Sequence, residues 1–156
     1  MTSSPTIIIR HRRENLKKCS LKGLEMRKNL HFYTYPSHQL PCVDNMILLG
    51  FDGKELSHED CQYPLLILDG TWRLTKKIEN ALVGKPLRRS LPPLFKTAYP
   101  RRQEDCLEKS KGLASLEALY LAHLILGKSV EGLLDLYHWK EHFLSKNQLQ
   151  INKLFC

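Results

Sequence analysis

An α/β fold with a largely parallel sheet follows from two observations on this 156-residue chain. First, Leu65-Leu66-Ile67-Leu68 is a run of four aliphatics that ends on Asp69-Gly70-Thr71-Trp72. An uninterrupted apolar run of that length suits a strand buried on both faces, as parallel strands between helices are. Second, short β-branched or aromatic runs alternate along the chain with segments of helical spacing, the order that builds parallel sheets. With 42% hydrophobic and 26% charged residues, the chain has the composition of an ordinary globular domain. At this length one domain can bury a real core without disulfides or metals.

Taken in order, Thr6-Ile7-Ile8-Ile9 reads as a strand leading into the basic stretch His11 to Lys18. Leu21 to Leu30 has the Leu21/Leu24 spacing of a short amphipathic helix, and His31 to Tyr35 is a strand closed by Pro36. Met46 to Gly50 is a further strand, Phe51 to Lys54 a turn, and Ser57-His58-Glu59-Asp60 the start of a short helix. Beyond the central strand, Leu74, Ile78 and Leu82 share a helix face over Arg73 to Val83, with Gly84 beyond it. The prolines in Leu91-Pro92-Pro93-Leu94-Phe95 suit irregular or edge backbone, and Tyr99 to Ser110 is a polar loop. Leu116 to Leu126 is apolar almost all round and stops at Gly127, which predicts a buried helix with His123 as a satisfied core residue. Val130 to Leu144 is expected to form a last helix, capped by Ser129.

The end of the central strand carries two readings. Ligands in open α/β sheets sit beyond the carboxyl ends of strands, which makes Asp69 to Trp72 a candidate site. Asp69 or Thr71 can equally serve as an ordinary helix cap.

Charge narrows the partner. The net charge is +8, and up to Leu30 eight basic residues (Arg10, Arg12, Arg13, Lys17, Lys18, Lys22, Arg27, Lys28) face only Glu14 and Glu25. A second basic run comprises Lys85, Arg88, Arg89, Lys96, Arg101 and Arg102. Two arginine-bearing patches suit a polyanion such as RNA; a solvated basic surface is the bland alternative. Five scattered cysteines without a C-x-x-C pair favour reduced thiols over a structural zinc site. His138 and His142 stand four apart but lack the companions of a metal site, and no metal is expected. No run approaches the roughly 18 to 20 apolar residues of a membrane span, and nothing at the N-terminus has the pattern of a signal peptide. A cytoplasmic protein is the expectation, with a monomer as default.

Five collinear segments resemble the DTW-type aminocarboxypropyltransferases, most of all the branch that modifies small-subunit ribosomal RNA. Asp69-Gly70-Thr71-Trp72 is similar to the family's D-x-T/S-W signature, and Lys17-Lys18-Cys19-Ser20 to its K-K-C-T/S segment. Leu91-Pro92-Pro93-Leu94 with Tyr99-Pro100 resembles L-P-x-L followed by A-N-P. Leu113-Ala114-Ser115-Leu116-Glu117-Ala118 resembles L-S-x-x-E-A, and Trp139 to Leu144 with Asn147 the closing W-G-x-x-F-L-x-x-N. The chain departs from that branch at Ala114 (a serine there), at Lys140 (a glycine), and in a Tyr/Arg-bearing stretch from Tyr99 to Arg102 closer to the tRNA-modifying branch.

The resemblance implies a SPOUT-like, mostly parallel sheet with a C-terminal trefoil knot and a small N-terminal α/β extension. It divides one compact unit into an RNA-binding portion, residues 1–60, and a cofactor-binding catalytic portion, residues 61–156. It implies S-adenosylmethionine as donor of a 3-amino-3-carboxypropyl group to a uridine-type base of small-subunit ribosomal RNA. The alternatives are a tRNA uridine or a non-catalytic ribosome-assembly factor. Asp69, Trp72 and Glu117 are the implied catalytic residues. With Ser20, Leu91 and Leu113 they also make up the implied donor site, and Asp69 is to anchor the donor ammonium or act as base. Lys17, Lys18, Lys22, Arg88, Arg89, Arg101 and Arg102 are the implied RNA contacts.

Overall fold

A computed structural model describes residues 4–13, 20–100 and 112–155. Lys17, Lys18, Arg101 and Arg102 lie outside these residues. Among the described residues six strands form one all-parallel sheet: β1 (Thr6–His11), β2 (Leu30–Tyr35), β3 (Ile47–Gly50), β4 (Lys54–Glu55), β5 (Leu65–Asp69) and β6 (Leu87–Ser90). Their spatial order is β2-β1-β5-β3-β6-β4. The sheet thus draws strands from both sides of residue 60, and the mixed α/β, parallel architecture is as the sequence predicts. No helix among the described residues is long and apolar enough to cross a membrane.

Side chains alternate across the sheet, so β1 and β5 feed two separate cores. On one face Ile8, Leu65 and Ile67 pack with Leu21, Leu24, Phe95 and Phe143 and with Leu116, Leu119 and Ala122 of α2 (Ser115–Leu126). On the other face Ile7, Ile9 and Leu66 pack with Ile78 of α1 (Trp72–Ala81). Ile8, Ile9, Leu65 and Leu66 are completely buried, each contributing roughly 1.5–3 kcal/mol by leaving water. Two short helices, α3 (Lys140–Lys146) and α4 (Gln148–Lys153), follow α2 among the described residues.

Two expected helices are replaced. The residues from Leu21 to Asn29 form successive turns, in which Leu21 and Leu24 are buried without helical backbone. Gly23 stands at φ 95°, a left-handed conformation outside any right-handed helix. The Val130–Leu144 helix is likewise absent: turns run from Glu131 to Leu136, broken by Gly132 at φ 74°, and helix begins only at Lys140. His138 therefore lies outside the helix that holds His142. The helix after the central strand starts at Trp72 and ends at Ala81, because Val83 leaves to pair with the 42–43 segment. Strand β6 was hidden from pattern reading by its single aliphatic residue.

Helix α2 matches its prediction, with Gly127 in the left-handed conformation at its end. Inside it His123, 1% exposed, donates from Nδ1 to the Ser129 carbonyl at 2.9 Å, leaving Nε2 to accept from the Thr6 hydroxyl at 2.7 Å. Burial, reinforced by Lys128 and Arg27, pulls its pKa from 6.5 to about 4 despite the opposing Ser129 carbonyl. The unfolded chain therefore takes up this proton first as pH falls. Stability tied to His123 is fully present above pH 6.5 and lost between about 6.5 and 4, by roughly 3 kcal/mol. Denaturant titrations of the wild type and His123→Gln across that window are expected to show a shallower pH slope in the variant.

Candidate functional site

The carboxyl ends of β3, β5 and β6 border a cleft of about 630 Å³, within the range of small-ligand sites. Its floor is Leu48 to Gly50, Ile67, Leu68 and Ser90. One wall is a stripe of α1: Trp72, Thr75, Lys76 and Glu79, spaced i, i+3, i+4 and i+7. Leu91 to Pro93 and Phe95 also line the cleft, together with Leu113, Ser115 and Ala118 at the start of α2. Trp72, Leu91 and Leu113 therefore come together, as half-buried residues of one cleft, from segments far apart in the chain. The polar wall residues Thr75, Lys76 and Glu79 went unnamed in the sequence reading, although counting helical turns from Trp72 reaches all three.

Trp72 enters this position because β5 stops at Asp69, Gly70 takes φ 149°, and Thr71 leads into the first turn of α1. The Arg73 guanidinium carbon lies 5.4 Å from the centre of the indole. At the rim Arg88 donates from Nη1 to Glu79 Oε1 at 2.8 Å, with Asp52 at 3.9 Å. The Glu79 hydrogen bond holds the Arg88 guanidinium above its ordinary pKa, against the effect of burial.

The two carboxylates with an implied catalytic role are buried and are not among the residues that line the cleft. Asp69, 3% exposed, accepts from Arg10 Nε at 3.1 Å. Glu117 is completely buried and gathers four donors: Thr97 Oγ1 at 2.6 Å, the backbone N–H of Ala98 and of Ala114, each at 2.8 Å, and the Tyr137 hydroxyl at 3.0 Å. It joins the start of α2 to the 97–98 segment and to Tyr137.

Ser20 is placed at the N-terminus of α2, where its Oγ accepts the Leu116 N–H at 3.1 Å. The capping residue there is Ala114, which has no hydroxyl to offer. A serine distant in sequence fills the role that a local one plays in ordinary caps. Lys22 is exposed on the adjoining turn. Arg89, on the opposite side of β6 from Arg88, donates from Nε to both oxygens of buried Asp60 at 3.2 Å. Asn147, fully buried, bonds the Lys96 N–H and carbonyl at 2.7 and 2.8 Å and the Phe143 carbonyl at 2.9 Å. The closing segment thereby braces the backbone that leads out of the cleft wall. No cluster of three or more His, Cys, Asp or Glu residues among those described has metal-binding geometry.

Glu117→Ala would leave two hydroxyls and two backbone N–H groups short of their acceptor, at about 1–3 kcal/mol for each one left buried. Denaturant unfolding is expected to show a loss of about 3 kcal/mol or more. A loss under about 1 kcal/mol would contradict the bracing role.

The fold has a solved counterpart. The structure of the SAM-dependent rRNA:acp-transferase Tsr3 from Vulcanisaeta distributa superposes with a TM-score of 0.71, covering 96% of this chain and 82% of that one at 21% sequence identity. No protein-family model and no curated protein matches the chain. At that identity the likeness is one of fold.

Proposed function

We propose that this protein transfers the 3-amino-3-carboxypropyl group of S-adenosylmethionine to a uridine-type base, with small-subunit ribosomal RNA ahead of tRNA as acceptor. The observation that carries the reading is the convergence of Gly70, Trp72, Leu91 and Leu113 on one cleft at the carboxyl end of the sheet. Support comes from the fold shared with an rRNA aminocarboxypropyltransferase along nearly the whole chain. The SPOUT-type trefoil knot implied by the sequence resemblance, and a cytoplasmic location, belong to the same reading.

In this reaction a base nitrogen attacks the γ-carbon of the donor. The bond from that carbon to sulfur breaks, its electron pair neutralises the sulfonium, and methylthioadenosine leaves. The nitrogen's proton passes to solvent or a nearby base. The competing methyl sits on the same sulfur, so the outcome is decided by which substituent faces the RNA. Trp72 is suited to that decision. Its ring can cover the methyl and contribute a cation–π attraction of about 0.5–2 kcal/mol to the sulfonium.

Leu91 and Leu113 are assigned to the adenine through their backbone groups. Ser20 is assigned to the donor carboxylate: its oxygen accepts the Leu116 N–H and leaves its own hydrogen free to donate. For Asp69 and Glu117 we favour a supporting role over direct contact with the donor, because both carboxylates are buried and hydrogen-bonded and neither lines the cleft. RNA phosphates are assigned to Lys17, Lys18, Lys22, Arg88, Arg101 and Arg102. Arg89 contributes through the backbone course of β6, given its engagement with Asp60.

The test is transfer to total RNA from donor labelled separately in the methyl and carboxyl carbons. Carboxyl label is expected in RNA. Trp72→Ala is expected to lower that incorporation about tenfold while letting some methyl label through. Methyl label alone in wild-type reactions would instead indicate a methyltransferase. No incorporation into any RNA would leave a non-catalytic RNA-binding protein.

A further inference from the structure

A guanidinium in the middle of a buried sheet has to be used by its surroundings, since desolvating it costs several kcal/mol. Arg10, on β1, is 7% exposed. Among the described residues, three groups engage it. Its Nε donates to Asp69 Oδ2 at 3.1 Å, its Nη1 to Glu25 Oε1 at 3.3 Å, and its carbon lies 5.0 Å from the centre of the Phe32 ring. The far side of Glu25 is engaged as well, because Oε2 accepts the Gly23 N–H at 2.8 Å. Burial opposes ionisation of Glu25, but its own backbone N–H, that of Gly23, and Arg10 together hold its carboxyl below the ordinary pKa.

The two arms of Arg10 lead to different walls of the cleft. Asp69 is the last residue of β5, immediately before Gly70 and Trp72. Glu25 and Gly23 belong to the turn that begins at Ser20, whose hydroxyl oxygen holds the Leu116 N–H at the start of α2, beside Leu113 and Ser115. We infer that Arg10 is a positioning residue: one fork couples the Gly70–Trp72 loop to the 20–25 turn and so sets the spacing between the Trp72 wall and the α2 wall. Lysine cannot replace it, because a single ammonium lacks a planar fork to engage two carboxylates while stacking on a ring.

The ligand readout rests on the cleft being an S-adenosylmethionine site; the coupling itself is tested without ligand. Glu25→Ala cuts one arm at a side chain that is 39% exposed and lines no part of the cleft, so the fold is retained. In the ligand-free full chain, amide exchange over residues 70–72 and 113–116 is expected to speed up about threefold, with β1 and β2 amides unchanged. In calorimetry, Glu25→Ala is expected to weaken S-adenosylmethionine binding about fivefold in the wild-type background but less than about twofold in an Arg10→Lys background. Arg10→Lys keeps a cation beside Asp69 and so preserves the sheet.

Equal losses in the two backgrounds, or exchange at 70–72 and 113–116 that ignores Glu25→Ala, would overturn the role of Arg10. A wild-type protein that fails to bind S-adenosylmethionine but shows the exchange response would remove the donor-site reading and leave the coupling intact.

Discussion

Arg10 and Asp69 face each other in register across the two neighbouring strands β1 and β5, and much of the molecule is arranged around that pair. A carboxylate at the end of a strand buried on both faces would be strongly destabilising alone. With a guanidinium from the adjacent strand at 3.1 Å, the central strand can end in a charge and still be dry. Such pairs add little net stability relative to apolar residues of the same shape, yet losing one partner typically costs about 3–5 kcal/mol. What the pair supplies is a fixed end point for β5. From it the chain turns through Gly70, and Trp72 enters the cleft on the first turn of α1.

A second constraint acts on the α2 wall. Helix α2 begins at a capping position occupied by alanine, and its exposed N–H groups are satisfied from elsewhere: Ser20 takes that of Leu116, and the Glu117 carboxylate takes that of Ala114. Glu117 then uses its remaining capacity on Thr97, Ala98 and Tyr137. Fully satisfied buried networks of this kind hold their members in one geometry. The proposed transfer must choose between two carbons on one sulfur, and such selectivity of placement needs walls that do not move.

The layout of the fold was written in apolar runs: Thr6 to Ile9, His31 to Tyr35, Ile47 to Gly50 and Leu65 to Leu68 lie in strands, with Met46 just before its strand, and Leu116 to Leu126 in a helix. Strand β6 was not visible, because Leu87-Arg88-Arg89-Ser90 owes its place to pairing with β3 and β4 and to the Arg89–Asp60 ion pair. The Leu21/Leu24 spacing correctly marked burial but not helix; leucines in consecutive turns can face the core as well as those on a helix. In the site, the strand end was legible and its helical stripe of Thr75, Lys76 and Glu79 was recoverable. Whether Asp69 and Glu117 reach the cleft was not, because the answer lies with Arg10, Thr97 and Tyr137, partners up to 59 residues away along the chain.

The proposed transfer requires the cleft to present the γ-carbon of the donor, and not its methyl, to RNA. The co-product reports this directly. Chromatography of reactions with RNA and S-adenosylmethionine should show methylthioadenosine accumulating in proportion to modified RNA, whereas S-adenosylhomocysteine as the co-product would contradict the account.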